Sequence, residues 1–98
     1  VSNYSVSAAE CFSQMIVTQD NVVVVGQQSA STNGTISELS LPGQMVVNFT
    51  GMRLLNPDES EFHGIGIVPD ILVSPTPAQF EAGIDPELDA AISYILSL

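Results

Sequence analysis

The chain has 98 residues, and Arg53 is its only Lys or Arg against 11 acidic residues, for a formal net charge of −10. A chain without a cationic surface cannot neutralise phosphates and release counterions, so nucleic acid is excluded as a partner, and an anionic membrane surface is disfavoured for the same reason. Hydrophobic residues make up 45% of the sequence, too many for a disordered chain, and the length fits one domain or part of one.

No apolar run approaches the roughly 20 residues of a membrane span. Val1-Ser2-Asn3-Tyr4 has neither a basic n-region nor an apolar h-region and does not read as a signal peptide. Because it passes at once into strand-like sequence, the chain is expected to be a piece of a longer polypeptide. Asn3 to Val6 reads as the end of a strand. Ser7-Ala8-Ala9-Glu10 has the Ser-x-x-Glu form of a capping box, which starts a helix. Ala8, Cys11, Phe12, Met15 and Ile16 recur at i, i+3, i+4 spacing, so they form one apolar helical face, with Cys11 read as a small buried hydrophobe.

Val22 to Val25, closed by Gly26, is a run typical of a strand buried in a parallel sheet. Strand, helix and strand in this order predict a βαβ-like unit and an α/β fold. The polar loop Gln27 to Gly34 ends on an Asn-Gly turn step. Ile36 to Leu41, a Pro42-Gly43 turn, and Met45 to Thr50 continued by Met52 to Leu55 predict an antiparallel pair. An acidic loop, Asn56 to Glu61, leads into the glycine-punctuated stretch Gly64 to Asp70, and Ile71-Leu72-Val73 is a short strand ended by Pro75-Thr76-Pro77. Asp85-Pro86-Glu87 carries a capping Asp and a Pro at the first helical position. The helix it starts would bury Leu88, Ala91, Ile92, Ile95 and Leu96.

Few residues here can carry chemistry. Ser7 stands at a strand-to-helix junction, where the Ala8 N–H and the positive end of the helix dipole are the donors an oxyanion needs. The plainer reading is a cap, with the Ser7 hydroxyl accepting the Glu10 N–H. His63 is the only histidine, and Glu61 would share its side of a strand. A carboxylate beside an imidazole fixes its tautomer, which suits a general base, whereas the plainer reading is a loop histidine near acids. Asp58, Glu59, Glu61 and His63 lack the spacing of a metal site, so no metal and no other cofactor is expected. Cys11 is the only cysteine, which leaves no intrachain disulfide.

The ordered set of segments resembles the C-terminal processing peptidases, or tail-specific proteases, a serine peptidase family related to the tricorn core. Asn3 to Glu10 resembles the family's nucleophile segment. Val22 to Gly26 with Thr32-Asn33-Gly34 is similar to its next strand and glycine loop, and Leu39 to Gly43 to its Leu-Pro-Gly turn. His63 to Asp70 resembles its Gly-Ile-x-Pro-Asp signature, and Asp85 to Leu88 its Asp-x-x-Leu helix start. The resemblance implies that residues 1–98 are the C-terminal half of a crotonase- or Clp-protease-like α/β superhelix, the rest of the domain lying upstream. It implies an acyl-enzyme on Ser7, an oxyanion donor at Ala8, a protein or peptide substrate, and a periplasmic or secreted location.

Many members pair the serine with a lysine, and this chain contains none. Members of the tricorn type use Ser, His and an acid, and His63 falls at the position of the acid. Two arrangements follow: His63 as base, oriented by Glu61, which needs only residues in view; or an upstream histidine as base, with His63 assisting. A catalytically inactive peptide- or ligand-binding module is the alternative, and homo-oligomerisation stays open.

Overall fold

The computed structural model describes residues 1–98. Its elements are α1 (Ala8–Ile16), β1 (Val25–Gly26), β2 (Ile36–Leu41), β3 (Met45–Thr50), β4 (Ile71–Leu72), α2 (Pro77–Glu81) and α3 (Pro86–Ser97). The α/β mixture matches the sequence reading, and so does the parallel pairing: β1 lies beside β4 with Val25 opposite Ile71. On the other side of β1, the Val1 amino group donates to Val25 O at 2.8 Å and the Gln27 N–H donates to Val1 O at 3.1 Å. The first strand of the expected βαβ unit is thus reduced to this contact, and Asn3-Tyr4 is a turn. Gly26, at φ 128°, is required there, because a Cβ would collide with Val1 O.

Asp70 ties the parallel pair together. Its carboxylate accepts the Val24 N–H at 2.8 Å, while the Asp70 and Ile71 N–H groups both donate to Val24 O. Behind this seam lies the only apolar core, formed by Val24, Phe62 and Ile67, with Val1 and Leu54 packed against it.

β2 and β3 form the expected antiparallel hairpin, with Leu39 opposite Val47 and Leu41 opposite Met45. Cross-strand partners share a face. One face therefore carries Leu39, Leu41, Met45, Val47 and Phe49, all exposed. The expected continuation through Met52 to Leu55 does not form a strand; only Leu55 bridges to Glu61.

The helices correct the sequence reading. In α1 the buried residues are Glu10, Ser13 and Gln14, while Cys11, Phe12 and Met15 point outward. The expected burial of Cys11 is wrong. Polar contacts turn the helix this way: Gln14 Nε2 donates to Asn56 Oδ1 at 3.2 Å, and Glu10 is claimed by a loop from elsewhere in the chain. In α3, Leu88, Ile92, Ile95 and Leu96 are exposed. The helix lies beside β1, where Ala91, Tyr94, Ile95 and Leu98 line a depression of about 240 Å³ together with Val23 and Val25. The Asp85 cap is as expected, accepting the Leu88 N–H at 2.9 Å. α2 was not foreseen; Thr76 caps it, accepting the Gln79 N–H, and Gln79 Oε1 accepts the Thr76 N–H in return.

Candidate active site at the start of α1

Ser7 occupies φ 54°, ψ −110°. A non-glycine residue reaches that corner at a cost of about 1–3 kcal/mol and stays only where its surroundings over-determine it. The surroundings here are Glu10, the largest polar side chain with no exposed surface. Its Oε2 accepts the Ser7 N–H at 3.0 Å and the Thr32 N–H at 3.1 Å. Its Oε1 accepts the Ser31 N–H at 2.6 Å and the Ser29 hydroxyl at 2.6 Å. Ser29 Oγ in turn accepts the Ile67 N–H at 2.8 Å. One carboxylate thus clamps the loop 29–32 to the first turn of α1 and links it to the segment entering β4. No cation pairs with Glu10. Three backbone N–H groups, one hydroxyl and the positive helix end balance its charge.

The Ser7 N–H is shared between Glu10 and Thr32 O at 3.2 Å, and the Ser7 side chain faces the Glu10 N–H in the capping box that the sequence predicts, without a close cap hydrogen bond. The side chain is exposed, and the neighbouring Ala8 N–H donates to no acceptor within the chain. Ser7 and Ala8 border a depression of about 370 Å³, together with Cys11, Asn33, Met52 and Leu54. An exposed hydroxyl beside a free N–H at a helix start is an arrangement able to attack a carbonyl carbon and hold the resulting oxyanion.

His63 does not join Ser7 by a hydrogen bond. Its Nε2 accepts the Leu54 N–H at 3.0 Å and lies 3.2 Å from Met52 O. Nε2 thus faces a backbone donor and a backbone acceptor at once, and which of the two it bonds depends on the ring's tautomer. His63 therefore holds the backbone that borders the Ser7 depression. The Glu61 carboxylate is bonded to Arg53, and the guanidinium holds it below the ordinary carboxylate range. The same contact raises Arg53. Glu61 does not hydrogen-bond His63.

Two site features were not singled out from sequence. The first is the clamping role of Glu10, which was visible only as half of a capping box. The second is Asn33, read as a turn residue, whose Oδ1 does accept the Gly34 N–H at 2.8 Å.

No curated protein matches the chain. A protein of Parabacteroides merdae ATCC 43184, whose crystal structure is described as that of a candidate peptidase, superposes with a TM-score of 0.81 at 29% identity. The match covers 94% of this chain and 29% of that one, so the present chain spans less than a third of its relative. The pattern of peptidase family S41 matches residues 1–73, which contain the clamp, the strained serine and the seam of the parallel pair, and the chain belongs to that family.

Proposed function

We propose that residues 1–98 are the C-terminal portion of a serine peptidase catalytic domain of crotonase-like build, acting on protein or peptide substrates through an acyl-enzyme on Ser7. The observation that carries this reading is the strained, exposed serine beside the free Ala8 N–H. In the proposed step, Ser7 Oγ attacks the peptide carbonyl carbon while its proton passes to an imidazole. The carbonyl oxygen becomes an oxyanion held by the Ala8 N–H, a donor worth about 3–4 kcal/mol in such sites. Collapse expels the amine, which takes the proton, and water then releases the acyl group by the same route.

The base is better sought in an upstream histidine than in His63. His63 Nε2 is engaged by the backbone of Met52 and Leu54, and Glu61 is engaged by Arg53. In this arrangement His63 assists by holding Met52 to Leu54 beside the nucleophile.

Surface arithmetic supports the view that more of a domain packs against this chain. A compact monomer of 10.3 kDa exposes roughly 5,400 Å², whereas this chain exposes 7030 Å². Its radius of gyration is 17.1 Å, against about 13 Å for a compact domain of this length. The uncovered apolar faces of α1 and of the β2–β3 hairpin are the surfaces the preceding part of the polypeptide would cover. A location outside the cytoplasm belongs to the same proposal and rests on the family resemblance.

The test is peptide hydrolysis by the full-length polypeptide and its Ser7→Ala variant, with fluorophosphonate labelling mapped by mass spectrometry. Labelling at Ser7 and loss of turnover in the variant are expected; wild-type turnover by Ser7→Ala overturns the nucleophile. A binding module without catalysis is the second reading, favoured by the lack of any side-chain base bonded to Ser7 among these residues. Peptide binding with no labelling would establish it.

A further inference from the structure

We propose that His63 is a positioning residue whose protonation state sets the wall of the Ser7 depression: neutral, it holds Leu54; charged, it releases Leu54 and grips Met52. The effect on catalysis rests on the nucleophile reading above, and the latch itself rests on the ring's contacts. One ring atom, Nε2, lies 3.0 Å from the Leu54 nitrogen and 3.2 Å from Met52 O, a donor and an acceptor. The Leu54 N–H has no other acceptor in the chain, and Leu54 is half-buried, packed against the core of Val24, Phe62 and Ile67. Met52 is exposed, so water can serve its carbonyl. An N–H left without an acceptor costs more than a carbonyl that turns to water, so the neutral ring keeps Nε2 bare for Leu54 and carries its hydrogen on Nδ1.

Nδ1 has no partner in the chain and is not enclosed, so the ring exchanges protons with water. Histidine is the side chain whose charge changes most readily near neutrality, and the charged ring carries an N–H on both nitrogens. The Nε2–H then meets the Leu54 N–H donor to donor. Leu54 loses its acceptor, and Nε2 donates to Met52 O instead. Met52 and Leu54 both border the depression that holds Ser7 and Ala8, so this exchange shifts the wall of the site and loosens Leu54 from the core. The charged groups beside the ring are Glu61, two residues before it, and Arg53, between the two backbone groups it touches; they bond to each other rather than to the ring. The Phe62 ring meets the imidazole edge-on, with centroids 6.3 Å apart.

The experiment uses the full-length polypeptide and its His63→Gln variant, whose amide oxygen can accept the Leu54 N–H but gains no charge near neutrality. With nitrogen-15 histidine and leucine, NMR of the wild type should show the Nδ1–H tautomer at about pH 8 and a Leu54 amide resonance that moves with the His63 titration. Fluorophosphonate labelling of Ser7 is then followed from about pH 8 down to about pH 5. The ratio of wild-type to His63→Gln labelling rates cancels the titration of the base that activates Ser7. That ratio should lie within about twofold of unity at the upper end and fall about tenfold at the lower, the worth of one hydrogen bond. A neutral ring with its hydrogen on Nε2, or a Leu54 amide indifferent to the His63 titration, overturns the proposal. A rate ratio that stays level with pH overturns it too and leaves the nucleophile standing. Absence of labelling in the wild type overturns the nucleophile, and the latch then stands or falls on the Leu54 titration.

Discussion

Replacing Glu10 by Gln is the sharpest probe of the clamp. The substitution keeps the shape, removes the charge and turns one acceptor oxygen into an NH₂ group. Each oxygen now accepts two hydrogen bonds: Ser7 N–H and Thr32 N–H on one, Ser31 N–H and the Ser29 hydroxyl on the other. Whichever way the amide turns, two of these contacts lose their acceptor. Hydrogen bonds to a charged group contribute about 1.5–3 kcal/mol each, and the lower cost of burying a neutral amide offsets part of the loss, which leaves about 3 kcal/mol. With a urea m-value of about 2–3 kcal/mol/M, the midpoint should fall by about 1–1.5 M. Urea unfolding of the full-length polypeptide measures it, and the rate of fluorophosphonate labelling at Ser7 should fall in parallel as the strained corner relaxes. Glu10→Asp, which keeps the charge but is one methylene short, should behave similarly. A Glu10→Gln midpoint within about 0.2 M of wild type would refute the view that this carboxylate holds the corner.

Ser7→Gly should raise stability by up to about 1 kcal/mol, because glycine accepts φ 54° without strain and Ser7 makes no close cap hydrogen bond, while abolishing turnover; thermal melting checks it, and a loss above about 1 kcal/mol would contradict the strain. Gly66→Ala should cost about 2 kcal/mol or more, because φ is +71° and the added methyl would run into the Ser29 hydroxyl and lie 3.1 Å from Ser31 Cα; urea melting of the variant measures the loss. Glu61 should titrate below its ordinary value of 4.5, owing first to its hydrogen bond from Arg53. The sign follows: a carboxyl depressed on folding lends stability above its unfolded value and loses it as pH falls through the lower folded one, so the pair dissolves only below 4.5. Carbon-13 NMR of the Glu61 carboxyl, with a midpoint that rises in Arg53→Gln, tests this, and both residues are too exposed for the pair to matter much to stability.

Locally encoded features were legible. The hairpin follows from alternation around Pro42-Gly43, the Asp85 cap from its Pro, and the parallel pairing of the valine run from its apolarity. What escaped was set at long range. Glu10 faces inward because N–H groups about 20 residues later need its oxygens, and that demand overrides the apolar stripe of α1. The stripe of α3 failed in the same way, since the chain has little sheet surface to cover it. α2 was missed although Thr76-Pro77-Ala78-Gln79 has the form of a capping box, because its two prolines read as a strand terminator. At the candidate site, the residue types were visible and their partners were not. Glu61 and His63 share a strand-like spacing, yet the only cation in the chain draws Glu61 away.

The core of Val24, Phe62 and Ile67 has a thermodynamic corollary. Heat capacity on unfolding tracks the apolar area newly wetted. Three enclosed side chains wet little, so a calorimeter should see the 98-residue chain on its own melt as a shallow ramp. A sharp endotherm would emerge only when its oily outer faces are themselves enclosed, making enclosure and cooperativity one event.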